Sequence, residues 1–129
     1  VLCWGSGESG ALGLGHTDSR LVPTPVPWLA GLGVLRISCG YRQCCALTAA
    51  RLVCWGDNRH GRLGLGHTDN VGDTAGSANL AAATVLHEEA TTKTTTFMAL
   101  QISAGVDHTC VVGWDAVARC WGEGRWGQL

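Results

Sequence analysis

The sequence is poor in charge and has no long apolar run. Only 15% of its 129 residues are Asp, Glu, Lys or Arg, and the formal net charge is −1. Proteins that bind the phosphate backbone of nucleic acids carry clusters of Lys and Arg, and this sequence has no such cluster. We therefore expect no nucleic-acid partner. The longest apolar stretch, residues 26–35, is interrupted by one Pro and two Gly. Because a transmembrane helix needs about 20 apolar residues, we expect none.

Glycine is abundant, at 19 positions, and much of it lies in a repeat. Cys-Trp-Gly occurs at residues 3–5, 54–56 and 120–122. The tails that follow the first two copies are nearly identical, since residues 10–18 read GALGLGHTD and residues 61–69 read GRLGLGHTD. The repeat predicts structural roles for its recurring tryptophans and glycines: Trp4, Trp55, Trp121, Gly13, Gly64, Gly15 and Gly66.

The spacing of the repeat predicts the architecture. Trp4 and Trp55 are 51 residues apart, whereas Trp55 and Trp121 are 66 apart, so the second unit carries an insertion at about residues 74–98. We place one region of repeats over residues 1–129, with units at about 1–51 and 52–117 and a partial unit at 118–129. Units of about 40–50 residues with several short strands are typical of propeller blades.

Short strand-like runs ended by Gly, at residues 37–40 and 102–105, also favour β-structure. We therefore predict an all-β fold: a partial β-propeller of about two to three blades of short antiparallel strands, and a fragment of a larger propeller. A helix fits only residues 79–90, which suit an outer strand and loop equally well.

The pattern Trp-Gly-x-x-x-x-Gly-x-Leu-Gly-Leu-Gly-His, preceded by Ile-Ser-x-Gly and Cys-Ala-Leu, resembles the regulator of chromosome condensation repeat. The resemblance covers nearly the whole chain. It implies a ring of about seven four-stranded blades, more than this chain can supply. The founding member of that family is a nuclear guanine nucleotide exchange factor for a small GTPase that also binds chromatin. Other members pair such repeats with ubiquitin ligase, kinase or ciliary functions.

Four of the seven cysteines recur at equivalent repeat positions. A turn centred on residues 49–50 would set Cys45 directly opposite Cys54, and a three-residue loop at 114–116 would do the same for Cys110 and Cys120. Directly opposed strand residues lie within disulfide range. We therefore predict these two pairs as disulfides, with small buried thiols as the alternative.

The remaining cysteines fit the repeat less well. Cys3 occupies the position of Cys54, so its partner would lie in a preceding strand outside the chain. Cys39 and Cys44 have no counterparts and are either packed thiols or an irregular extra pair. Because disulfides persist in oxidising places, we favour a secreted, surface or organelle-lumen location, with cytosol or nucleus as the alternative.

The sequence nominates no catalytic, cofactor or metal site. The four cysteines between residues 39 and 54 lack the Cys-x-x-Cys spacing of a zinc knuckle. The Gly-rich tails lack the Gly-Lys-Ser or Gly-Lys-Thr ending of a phosphate loop. His16 and His67 recur in the repeat, which favours a role in the turn of each unit. An acid–base pair needs positioned partners, and Asp107-His108 is replaced by Arg42-Gln43 in the other copy.

These observations favour a non-catalytic protein-interaction or scaffold module. An incomplete propeller leaves apolar blade flanks open, so we expect protein partners to cover them. The chain could be an accessory subunit of a larger complex, including one associated with a membrane. The insertion supplies a candidate partner contact at Glu88, Glu89 and Lys93. The alternative function, implied only by the resemblance, is nucleotide exchange on a small GTPase; nothing supports a hydrolase or lyase site.

Overall fold

A computed structural model describes residues 1–49, 51–75 and 99–129, and the fold is given for those residues. Short β-strands and three single-turn 3-10 helices form this part of the chain. In chain order the strands are β1 Leu2–Gly5, β2 Arg20–Pro25, β3 Val34–Cys39, β4 Gln43–Thr48, β5 Leu52–Gly56, β6 Ala99–Ala104, β7 His108–Gly113 and β8 Ala118–Gly122. The 3-10 helices are Glu8–Gly10, Pro27–Leu29 and Arg59–Gly61.

The strands form three small antiparallel sheets. The first sheet pairs β1 with β2, the second has the order β3-β4-β5, and the third has the order β6-β7-β8. An isolated bridge between Gly56 and Val71 begins a fourth strand on the second sheet. The predicted all-β, partial-propeller fold is confirmed, and each sheet corresponds to one blade.

The blades and the sequence repeats are out of phase. The Cys-Trp-Gly motifs lie in β1, β5 and β8; β5 and β8 are the third strands of their sheets, and β1 is the first strand of the two-stranded sheet. The inner strands β3 and β4 therefore follow the first motif in sequence but share a sheet with the second. Because each repeat contributes strands to two successive blades, the chain itself ties neighbouring blades together.

The core is centred on the second blade. Every residue of β4 and β5 is buried, and Val53, Trp55 and Leu63 have no exposed surface. The turn after β1 packs on β5, and the turn after β5 packs on β8. Burial of the middle blade from both sides explains why its strands lack the polar alternation of a half-exposed sheet.

Three disulfides join strands within blades. Cys45–Cys54 links β4 to β5 and Cys110–Cys120 links β7 to β8, as the hairpin registers predict. A third bridge, Cys39–Cys44, links β3 to β4, so of the two interpretations left open by the sequence the extra pair is the one observed. Adjacent residues of a strand point to opposite faces, so Cys44 and Cys45 can each serve a different neighbour. Three disulfides favour an oxidising environment.

Some predicted features lie outside the described residues. These are the helix or strand of residues 79–90, most of the insertion at 74–98, and the candidate contacts Glu88, Glu89 and Lys93. Among the residues that are described, no helix is long and apolar enough to cross a bilayer.

Candidate functional site

The contact between successive blades is built around the tryptophan of the Cys-Trp-Gly motif. The Trp55 indole Nε1 donates to the carbonyl of Ala11, 3.0 Å away in the tail of the preceding repeat. The Trp121 Nε1 donates at the same distance to the carbonyl of Arg62. The two acceptors hold the same place in their tails, two residues before the second glycine of the repeat. The same hydrogen bond, from the motif tryptophan to a carbonyl of the preceding tail, therefore forms at both junctions between the described blades.

The glycine at the centre of each tail makes room for that indole. A Cβ added at Gly13 would lie 2.9 Å from the Trp55 Nε1, and one at Gly64 would lie 2.6 Å from the Trp121 Nε1. Both distances are far below ordinary carbon–nitrogen contact, so only glycine fits beneath the ring. Trp28 packs edge-on against Trp55 at 5.2 Å and donates its own Nε1 to the Gly13 carbonyl at 2.7 Å. Trp55, Trp121, Gly13 and Gly64 thus all lie at blade-to-blade contacts.

Each junction also carries an ion pair, and its polarity reverses from one junction to the next. Glu8 in the first tail meets Arg42 in the β3–β4 turn, with 2.6 Å between Oε2 and Nη2. Arg62 in the second tail meets Asp107 in the β6–β7 turn, with 2.7 Å between Nη2 and Oδ1. These pairs were not predicted from the sequence, although Asp107 replaces Arg42 in the other copy. Arg62 stands at the position of the uncharged Ala11, so the two pairs use different positions of the tail and comparison of the repeats does not reveal them.

A buried charge cluster supports the second junction. The side chain of Asp57 has no exposed surface and accepts hydrogen bonds from Arg59. The Arg62 guanidinium is 3% exposed and bonds the carbonyls of Arg59 and Val106. Burial by itself would raise the pKa of Asp57, but the hydrogen bonds from Arg59 and the charge of Arg62 outweigh it and lower the pKa. Asp57 is therefore held as a carboxylate that orders both arginines.

Polar contacts between inner strands complete this junction. The Gln43 side chain, which is fully buried, donates its Nε2 to the Gly105 carbonyl at 2.9 Å. The backbone N–H of Ala104 donates to the Ser38 Oγ at 2.9 Å. These bonds fix β3 and β4 of the second blade against the third blade.

In contrast, several apolar side chains of the first sheet are not covered by any of the described residues. Trp4 is 59% exposed and Leu21 is 96% exposed, whereas Trp55 at the equivalent position of the second blade is fully buried. Val22, adjacent to Leu21, is 64% exposed. Since successive strand residues face opposite ways, both faces of β2 are open. Leu2, Trp4, Leu21 and Val22 are therefore distributed over the two faces of the first sheet, and together they define the first-sheet surface, the main candidate interaction surface.

A second apolar surface lies on the inner strands. Leu35 and Ile37 on β3 are 67% and 45% exposed, and Leu100 on β6 is 43% exposed. Strands β3 and β6 contact each other, so these side chains belong to neighbouring blades. Contiguous apolar patches on a folded domain mark interaction sites, so these side chains form a second candidate surface.

The recurring histidines and outer glycines of the tails make local contacts or turns. His16 Nε2 lies 2.9 Å from the Arg20 guanidinium, and His67 accepts hydrogen bonds from Asn58 and the Asp69 backbone. Gly15 and Gly66 both adopt positive φ, at 78° and 74°. Burial raises the pKa of the Cys3 thiol, which is the free cysteine of the described residues.

No cluster of three or more possible metal ligands occurs within residues 1–49, 51–75 and 99–129. The four cysteines once weighed as zinc ligands are paired in disulfides, which removes their thiolates as ligands.

Comparison with known proteins gives a family model and several repeat-containing relatives. The model "Regulator of chromosome condensation (RCC1) repeat" matches residues 1–47. The chain is 32% identical over 130 residues to the ultraviolet-B receptor UVR8 of Arabidopsis thaliana, covering 100% of this chain and 26% of the receptor. It is 42% identical over 72 residues to the E3 ubiquitin-protein ligase HERC2 of Homo sapiens, covering 55% of this chain and 2% of the ligase. The chain spans about a quarter or less of these relatives.

A solved structure shows the same fold. Prp20p from Saccharomyces cerevisiae, described with its binding properties to Gsp1p and histones, superposes with a TM-score of 0.73. The alignment covers 94% of this chain and 28% of Prp20p, at 22% sequence identity. At that identity the likeness supports the arrangement of the blades and carries no functional detail.

Proposed function

Because the chain is built from regulator of chromosome condensation repeats, we propose that it is a non-catalytic protein-interaction module and an accessory subunit of a larger assembly. The repeats supply a rigid stack of blades, and the fold alone does not determine what the stack binds. The role therefore has to be argued from exposed surface.

The exposure of the first-sheet surface carries the proposal. Leu2, Trp4, Leu21 and Val22 are between 54% and 96% exposed. Burying a side chain of this size contributes about 1.5–3 kcal/mol, so a protein surface that covered either face would gain about that much for each side chain it buried. The middle blade gains this stabilisation from its own neighbours, and the first blade would gain it from whatever covers it, a further blade or a partner.

The compartment is the finer part of the proposal. Three disulfides within two small blades favour a secreted, cell-surface or organelle-lumen protein. Partners would then be proteins of that compartment, including subunits of a membrane-associated complex. Nucleotide exchange on a small GTPase stays a prediction from the family resemblance, since no described residue is assigned a part in it.

The proposal is tested by capture from a lumenal or extracellular extract, using wild-type chain and two matched variants. Leu21→Glu places a charge on the first-sheet surface. Trp114→Ala removes another strongly exposed apolar side chain, 72% exposed, from the β7–β8 loop. Surface substitutions of this kind change stability by about 0.5 kcal/mol or less, which a thermal melt of each variant verifies.

We expect proteins that wild type and Trp114→Ala both capture to be lost with Leu21→Glu. Identical captured sets for the three proteins would show that the face of the first sheet that carries Leu21 binds none of the captured proteins. A parallel assay with a GDP-loaded small GTPase should give no acceleration of nucleotide release.

A further inference from the structure

The hairpins give each blade two opposite edges. In the second blade the β3–β4 turn lies at one edge. The start of β3 lies at the other edge, beside the β4–β5 turn, because Val34 pairs with Thr48. In the third blade Ala99 pairs with Gly113 in the same way, so the start of β6 lies beside the β7–β8 loop. The start of each inner strand therefore shares an edge with the loop of the following hairpin.

Two hydrogen bonds show that the second and third blades point the same way. The Gln43 Nε2 donates to the Gly105 carbonyl and the Ala104 N–H donates to the Ser38 Oγ, both at 2.9 Å. These four residues lie at the end of β3, the start of β4 and the end of β6. The β3–β4 and β6–β7 turns therefore lie on one edge of the two blades, and the β4–β5 turn and β7–β8 loop lie together on the opposite edge.

That opposite edge is apolar and exposed. Trp114 and Val117 in the β7–β8 loop are 72% and 47% exposed. Leu35 and Leu100, at equivalent positions near the starts of β3 and β6, are 67% and 43% exposed. We call these four side chains the Trp114 edge. Ala49, in the β4–β5 turn, is also exposed although the first tail and the third blade pack on its blade from both sides. Exposure here is therefore a property of the hairpin tips.

The loop that presents Trp114 is held in one conformation. The Gly113 N–H donates to the Val117 carbonyl at 3.1 Å. Asp115 accepts a hydrogen bond from the Val117 N–H at 3.0 Å and forms an ion pair with Arg119 at 2.8 Å. Because these contacts already order the loop, a contact made through Trp114 costs little further backbone entropy.

The charged residues of this edge are mainly basic. Arg36 is exposed and follows Leu35 on β3, and Arg51 ends the β4–β5 turn. Arg119 is paired with Asp115, which offsets the charge of that carboxylate. Asp115 is the acidic residue against three arginines within the described residues 30–36, 49, 51, 99–101 and 113–119. Positive charge therefore surrounds the apolar tips.

From this combination we infer that the Trp114 edge binds a membrane surface that carries anionic lipids. Indoles are enriched at membrane interfaces because they are apolar at one end and polar at the other. The arginines would meet the anionic headgroups, and each such residue contributes about fivefold in affinity. Since these side chains stand on hairpin tips and strand ends, they protrude, which suits a flat lipid surface better than a protruding segment of a protein. The inference goes beyond the proposed protein-interaction role and uses a different surface.

Co-sedimentation of the purified chain with lipid vesicles tests the inference. Wild type should bind phosphatidylcholine vesicles that contain phosphatidylserine, and binding should weaken as salt is added. Trp114→Ala should weaken binding by about 10- to 100-fold, as expected for a large apolar side chain that is no longer buried. Arg36→Gln should weaken it by about fivefold. Tyr41→Ala is the matched control, because Tyr41 is 66% exposed but lies in the β3–β4 turn on the opposite edge.

The outcomes separate a lipid surface from a protein partner. Wild type that binds neither kind of vesicle would overturn the inference, and so would equal binding by Trp114→Ala and Tyr41→Ala. Binding that depends on neither phosphatidylserine nor salt would overturn it as well. If wild type bound no vesicles but Trp114→Ala lost captured proteins, the edge would bind protein instead of lipid. Leu21→Glu should bind vesicles like wild type, so vesicle binding and protein capture at the first-sheet surface can fail independently.

Discussion

The strongest test of the junction is a pair of glycine substitutions in one tail. Gly64 and Gly66 both have positive φ, at 71° and 74°, so alanine is strained at either position. They differ in their surroundings. A Cβ at Gly64 would lie 2.6 Å from the Trp121 Nε1, whereas one at Gly66 would meet nothing within 4 Å. Gly66→Ala therefore measures backbone strain alone and is the control for Gly64→Ala.

The expected magnitudes follow from these contacts. The left-handed conformation costs an L-residue about 1–2 kcal/mol, which should be the whole effect of Gly66→Ala. In Gly64→Ala the indole of Trp121 must move away, which costs the hydrogen bond to the Arg62 carbonyl, about 1 kcal/mol. Overpacking of the contact adds about 1–3 kcal/mol. Gly64→Ala should therefore be less stable than Gly66→Ala by about 2–4 kcal/mol.

Urea unfolding followed by tryptophan fluorescence, with disulfides kept intact, measures both variants. If Gly64→Ala and Gly66→Ala lost equal amounts of unfolding free energy, the Trp121 ring would not pack on Gly64. Gly13→Ala extends the comparison to the first junction, where we expect a similar loss because a Cβ there would lie 2.9 Å from Trp55.

Three further predictions concern charge and covalent links. The pKa of Asp57 is lowered in the folded state, so its carboxylate stabilises the fold at pH values above its ordinary pKa of about 3.9. This stabilisation is lost as the pH falls through the lower pKa of the folded state. The difference in melting temperature between wild type and Asp57→Asn should therefore shrink below about pH 4. Glu8→Arg and Arg42→Glu should each cost about 0.2–1 kcal/mol, and the double variant should recover most of it; additive losses in a double-mutant cycle would argue against the pair. Replacing Cys110 and Cys120 together by Ser should lower the unfolding free energy by about 2–5 kcal/mol, and an unchanged urea midpoint would mean that the bridge does not stabilise the third blade.

The repeat made the fold predictable because it recurs in both chemistry and spacing. Equivalent cysteines identified the hairpin registers, and the registers identified two disulfides. Cys39–Cys44 was left open because its hairpin has no equivalent cysteines in the other copy. The opposed positions in β3 and β4 would have shown it, since Cys39 and Cys44 are paired in the register.

The hydrogen bonds and ion pairs between blades could not be predicted from the strand pattern of a single repeat. Trp55 bonds a carbonyl 44 residues earlier and Trp121 one 59 residues earlier, so no local periodicity reports the contact. The repeat indicated which tryptophans and glycines matter, but not that they meet across blades. Glu8–Arg42 and Arg62–Asp107 were hidden for a related reason, because each pair lies within one repeat unit but joins neighbouring blades across 34 and 45 residues of sequence.

The most direct test of the account as a whole is the redox state of the cysteines in the protein isolated from its natural source. Peptides from unreduced, alkylated protein are mapped by mass spectrometry. We expect Cys45 linked to Cys54, Cys110 linked to Cys120 and Cys39 linked to Cys44, as for an interaction module of an oxidising compartment. Recovery of these six cysteines as alkylated free thiols would contradict it.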